Sequence, residues 1–342
     1  MRTKPRAVAA CVVSMLAASA YAAPFQNALR PEGVQAAHIY KLWQIMLWTC
    51  TGVFVAVMIA FVLALWRAPR ATERTPPDTA AIREPEPHLS RAVTIAGIVS
   101  VIGLFGLLIA SVATDRALAS LPLKDGIAIE VNGLQWWWQA TYYPGDPTRS
   151  FDTANELHIP VGRPVLLKLQ SPDVIHSFWV PNLTGKKDLI PGHVLTLQLR
   201  ADRAGTYRGQ CAEYCGYQHA KMAFLVIAED PAQYEQWAQA QRAPAREPVD
   251  DVMKRGQQVF LSSPCVMCHA IQGTAANAKT APDLTHLASR ETIAAGILPN
   301  TTGNRAGWIA NPQQIKPGTN MPAVALPPAD FQALLAYLDS LK

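Results

Sequence analysis

Two long apolar runs dominate the pattern at the start of the chain: Leu42 to Trp66, nearly free of charge, and Ala92 to Ala113. Each is long enough to cross a bilayer as a helix, and Trp43 and Trp66 suit its two interfaces. A buried soluble helix can be equally apolar, but two such runs in succession predict a membrane hairpin. A shorter apolar stretch, Ala7 to Ala20, follows Arg2, Lys4 and Arg6 and ends at Ala20-Tyr21-Ala22. It is brief for a span and reads as an export signal over residues 1–22, in which Cys11 comes too early for a lipoprotein. Between the long runs lie Arg67, Arg70, Arg74, Arg83 and Arg91, whereas Ala23 to Tyr40 holds only Arg30. The positive-inside rule then places the short loop in the cytoplasm and both ends on the periplasmic side of a bacterial inner membrane. Cys50, inside the first run, reads as a small packing residue.

Beyond Leu121 the pattern shortens. Runs such as Ile127–Val131, Val165–Leu169 and Val194–Leu199 are separated by Pro and Gly turns, which predicts an antiparallel β-sandwich or barrel up to Ala240. Gln241 to Pro248 is polar and carries two prolines, a linker signal. Helical spacing returns afterwards, through Val252 to Phe260 and again through Ala329 to Leu341. The expected organisation is therefore a signal (1–22), a helix hairpin (23–120), a β domain (121–240), a linker (241–249) and an all-α domain (250–342). Composition adds little: half of the 342 residues are hydrophobic, and the net charge of +5 includes the three positive charges of the signal. The mature chain is not strongly basic, and nothing points to nucleic acid.

The densest chemistry lies in Gln210 to Met222, where Cys211, Cys215, His219 and Met222 share one short segment. Thiolate, imidazole and thioether form a soft donor set that favours copper; a closed zinc site has little use for a thioether. Two cysteines on one tight loop can bridge two metal ions, each needing a terminal imidazole. His219 is one candidate; the other is His176, between apolar residues on a strand-like run. A disulfide is the competing reading of Cys211 and Cys215 in an exported chain, but it explains neither histidine nor Met222. The set resembles the binuclear copper A centre of cytochrome c oxidase subunit II, and the match extends through Gly185–Gly192 and Gly205–Gln210. The resemblance implies a cupredoxin fold with the ligand loop between the last two strands, and a further copper ligand in the carbonyl of Glu213. It implies magnesium binding by the Glu213 side chain at the contact with subunit I, with Asp173 a weaker candidate there and more readily a turn residue after Pro172. In Gln135-Trp136-Trp137-Trp138, aromatics on a strand are ordinarily core; the resemblance makes Trp136 the electron entry point.

Cys265-Val266-Met267-Cys268-His269 is the attachment motif of c-type haem, with two thioethers and His269 as an axial ligand. A zinc site can use such spacing, but no second cysteine pair follows. Lys316 to Pro322 resembles the distal loop of class I cytochromes c, which implies Met321 as the sixth ligand and a raised potential. Ala281 to Leu284 looks like the loop packing beside the haem, and His286 reads as a core or surface residue.

Together these parts resemble subunit II of a caa3-type cytochrome c oxidase: a membrane hairpin, a copper A cupredoxin and a fused class I cytochrome c. The resemblance implies an electron relay from a cytochrome donor to the catalytic subunit I. No histidine cluster for oxygen remains once His176, His219 and His269 are used, so the enzymatic activity belongs to the complex. Many such subunits carry a glutamate at the cytoplasmic start of the second helix; Leu89-Ser90-Arg91-Ala92 stands there instead. The alternatives are a copper A subunit of a nitric oxide reductase and a membrane-tethered metal-binding protein. A quinol-oxidase relative is disfavoured by the copper ligands.

Overall fold

The computed structural model describes residues 26–68, 87–143 and 145–342. The stretch read as an export signal and most of the arginine-bearing loop lie outside the described residues.

Two helices form one unit: α1 (Val34–Arg67) from Ala37 onward and α2 (Pro87–Ala119). Their most apolar windows reach mean hydropathies of 2.4 and 2.5, and none of either window is buried by protein. A helix apolar all round and uncovered is stable only where lipid covers it. Both helices run past the apolar limits read from sequence, because helical backbone continues into the polar flanks.

The second unit holds a β-sandwich and a helical domain. The sandwich strands are β1 (Ile127–Leu134), β2 (Trp137–Tyr142), β3 (Phe151–Ala154), β4 (Glu156–Pro160), β5 (Val165–Gln170), β6 (His176–Trp179), β7 (Lys187–Leu189), β8 (Leu195–Leu199), β9 (Gly205–Cys211) and β10 (Ala223–Glu229). One sheet runs β3-β2-β1-β5-β8 and the other β4-β10-β9-β6-β7. Alternate residues of β1, β2 and β5 are buried, so their period-two pattern does face a core. The purely antiparallel expectation needs correction at two places: β1 pairs with β5, and β4 with β10, in parallel. The chain crosses between sheets at β4, and side-chain alternation carries no information about strand direction. Trp138 is fully buried at the centre, edge-on to Phe178 at 5.9 Å and Phe224 at 5.0 Å.

Helix α3 (Pro231–Gln241) closes the sandwich, with proline at its first turn. The helical domain follows: α4 (Asp251–Ser262), α5 (Thr302–Ala310), α6 (Pro312–Ile315) and α7 (Pro328–Ser340), with a small hairpin of β11 (Thr292–Ile293) and β12 (Leu298–Pro299). The Asp250 side chain caps α4 by accepting from Met253 N at 2.7 Å. Helices α4 and α7 cross at Gly256, where a Cβ would lie 2.0 Å from the Ala333 carbonyl. Only glycine permits that approach. The linker is bonded to the helical domain, through Ala245 N to Gln272 O at 3.0 Å and His286 Nε2 to Ala243 O at 3.0 Å.

Candidate functional site

Strand β9 ends at Cys211 and β10 starts at Ala223, so the loop between them carries Glu213, Cys215, His219 and Met222 to one end of the sandwich. His176 opens β6 beside it. Cys211 N donates to Met222 O at 2.9 Å, closing the loop at its base. Gly216 turns it with φ +112°, where a Cβ would press on Gln135 and Trp136 at 3.1 and 3.2 Å.

The sulfurs of Cys211 and Cys215 lie 3.7 Å apart as free thiols. Cys211 Sγ is 3.8 Å from His176 Nδ1 and 3.1 Å from the Glu213 carbonyl. Cys215 Sγ is 3.7 Å from His219 Nδ1 and 3.8 Å from Met222 Sδ. Two thiols, two imidazoles, a thioether and a carbonyl therefore converge, with His176 and both cysteines buried. That soft donor set fits a pair of copper ions. The thiols oppose one another electrostatically: hydrogen bonding from Cys215 holds Cys211 down at about 3, and the same bond drives Cys215 upward. A cation between them removes that conflict.

Asp173 shapes the pocket from behind. Its Oδ1 lies 2.9 Å from His176 Nε2, leaving Nδ1 to face Cys211, and its Oδ2 accepts from Gln135 N at 2.7 Å. It also makes the turn, accepting from Val174 N at 2.6 Å. The only sequence signal for the orienting contact is a carboxylate three residues before a histidine. Trp136 Nε1 donates to the Cys215 carbonyl at 3.1 Å, and Gln135 Nε2 donates to the same oxygen at 2.8 Å. The Glu213 carboxylate lies 3.8 Å from Lys186 Nζ in an exposed pair.

In the helical domain a tight turn bonds Cys268 N and His269 N to the Cys265 carbonyl at 3.2 and 3.0 Å. His269 Nδ1 donates to Pro282 O at 2.7 Å, leaving Nε2 for a metal. Burial pushes its imidazole below the ordinary value, favouring the neutral form that ligation needs. Met321, Leu284, Leu298, Val324 and Leu326 pack on this domain's core while staying partly open. Such an apolar margin beside Cys265 and Cys268 fits a haem.

The Met321 loop meets the copper-site segment. Lys316 Nζ donates to Trp136 O at 3.0 Å and Asn320 Nδ2 to Gln135 O at 3.0 Å. Gln218 donates to Pro317 O, and Lys221 Nζ to Ile315 O at 2.6 Å. Farther along the interface, Ala223 N donates to Ala295 O at 3.0 Å, and buried Glu156 accepts from Thr292 N at 2.8 Å. The sequence reading assigned Met321 in this loop and missed Lys316 and Asn320.

The family model described as cytochrome C oxidase subunit II, periplasmic domain, matches residues 143–229, and that for cytochrome c matches 253–342. Cytochrome c oxidase subunit 2 of Alkalihalophilus pseudofirmus is 35% identical over 327 residues, covering 92% of this chain and 91% of the relative. The chain belongs to the cytochrome c oxidase subunit 2 family. The Bacillus subtilis subunit 2 is 28% identical over 340 residues, with 93% and 92% covered. The periplasmic domain of subunit II from Bradyrhizobium japonicum is similar at 26% identity with a TM-score of 0.32, covering 34% of this chain and 93% of that one. This subunit II thus carries a fused cytochrome c domain, the caa3 arrangement, and two apolar anchoring helices. Membership implies copper A in the sandwich, a haem in the C-terminal domain and subunit I as partner in the oxidase complex.

Proposed function

We propose that the chain relays electrons from a c-type cytochrome donor to subunit I, where oxygen is reduced to water. When bound, copper A and haem c supply reversible one-electron chemistry, and the protein supplies their positions. His176, Cys211, Cys215, His219, Met222 and the Glu213 carbonyl hold the copper pair. Cys265 and Cys268 would attach the haem through thioethers, and His269 and Met321 would hold its iron. Asp173 fixes the His176 ring, the Pro282 carbonyl fixes that of His269, and Trp136 is the entry residue over the copper loop. The Glu213 carboxylate is proposed to bind magnesium at the subunit I contact. An export signal, the hairpin arginines and periplasmic haem attachment support an inner-membrane protein with both redox domains on the periplasmic side.

The observation that carries this reading is the convergence of six copper-type donors within 3.1–3.8 Å contacts in the domain that meets the Met321 loop. A donor set suited to copper also disfavours a quinol-oxidase reading. Metal and optical analysis of the purified membrane complex, with oxygen and nitric oxide consumption measured side by side, tests the proposal. Copper, covalent haem and oxygen consumption are expected. A complex that consumes only nitric oxide would contradict the terminal acceptor, and one without copper would contradict the relay.

A further inference from the structure

The loop that brings Met321 to the cytochrome domain is also a main contact with the copper domain. Lys316 is 2% exposed, and its ammonium donates to the carbonyls of Trp136 at 3.0 Å and Ala294 at 3.4 Å. Asn320, next to Met321, donates to the Gln135 carbonyl at 3.0 Å. Gln135 and Trp136 are the two residues whose side chains both donate to the Cys215 carbonyl. Two short bonded routes therefore run from the methionine loop to the Cys215 backbone, one through Asn320 and Gln135, the other through Lys316 and Trp136.

Burying an ammonium is costly unless its protons find acceptors. Lys316 finds carbonyls on both domains, and the one on the copper domain is available only while the loop is seated. A tether serving merely to keep two domains close has no need of such a residue. Burial pulls the Lys316 amine down to about 8, with Lys221 nearby acting in the same direction.

We infer that Lys316 and Asn320 are positioning residues for electron transfer between the two centres, holding the distal-methionine loop in register with the Gln135–Trp136 segment. The inference rests on the relay reading above. The transfer oxidises the haem iron by one electron and reduces the copper pair by one, with no bond made or broken.

The test uses the full purified complex carrying Lys316→Met or Asn320→Ala. Asn320 is exposed, so its truncation opens no buried hole and keeps the test valid where Lys316→Met impairs folding. Haem and copper spectra, and reduction of the haem by an external donor, should stay unchanged. Haem-to-copper transfer after flash reduction should slow by about tenfold, in line with the cost of small misplacements. Hydrogen exchange over residues 134–138 and 315–321 should quicken. Wild-type transfer and exchange in both variants would overturn the positioning role while leaving the relay intact. Absence of haem-to-copper transfer in the unmodified complex would overturn the relay, and this inference with it.

Discussion

Cys215 touches three donors in the copper pocket, as Cys211 does: Cys211 Sγ, His219 Nδ1 and Met222 Sδ all lie 3.7–3.8 Å from its sulfur. A hydroxyl does not bridge copper as a thiolate does, so Cys215→Ser should abolish the mixed-valence electron paramagnetic resonance signal; its survival would refute the ligand set. Asp173→Ala should leave all the ligands present but free the His176 ring, weakening copper retention by about 10–100-fold in a chelator competition. Unchanged retention would show that packing alone orients the ring. Met321→Leu should leave haem attached and lower its reduction potential, because a thioether ligand is lost; an unchanged potential would point to another sixth ligand. The donor types that converge were legible in sequence because soft donors rarely gather in so few residues. The orienting role of Asp173 and the cross-domain roles of Lys316 and Asn320 were not, since each depends on side-chain geometry that only folding sets: Lys316 reaches Trp136 across 180 residues. A turn aspartate or a loop lysine carries no mark of that role.

At the scale of elements, two contacts make sharp tests. Buried Glu156 on β4 accepts from Thr292 of the cytochrome domain, and burial raises its carboxyl above the ordinary value against the pull of Thr292 and Arg290. A raised carboxyl holds its proton longer in the folded than in the unfolded state. Its contribution is full below the ordinary carboxylate value and falls as pH rises through the folded value. Glu156→Gln keeps an oxygen for Thr292 and removes the ionisation. The stability of the native complex relative to this variant, followed by thermal unfolding of the haem domain, should therefore decline with rising pH and then level off. A constant difference would contradict the raised carboxyl. Gly256→Ala places a methyl against the Ala333 carbonyl and should destabilise the α4–α7 crossing by about 1–3 kcal/mol in denaturant unfolding. Equal stability would mean that the helices separate freely. The hydrophobic pattern revealed the two spans, strands β1, β5 and β8, and both terminal helices of the cytochrome domain. It missed the parallel pairings of β1 with β5 and β4 with β10, because alternation fixes which face is buried and not which neighbour a strand joins.

For the molecule as a whole, the order of parts was legible from composition, while the fit between the redox domains was not. A polar linker implied proximity; the structure adds a built interface through Lys316, Asn320, Gln218, Lys221 and Glu156. An intramolecular donor held in this way avoids the cost of repeated docking. The cytochrome domain should then be the entry port for electrons, and copper A the exit toward subunit I. The most direct measurement is donor oxidation by a complex carrying Cys265→Ser and Cys268→Ser, which lacks attached haem but keeps His176, Cys211, Cys215, His219 and Met222. It should retain the copper signal and accept electrons from a small artificial reductant, yet oxidise its cytochrome donor far more slowly than the native complex. Oxidation of that donor at the native rate by the haem-free, copper-replete complex would contradict the account.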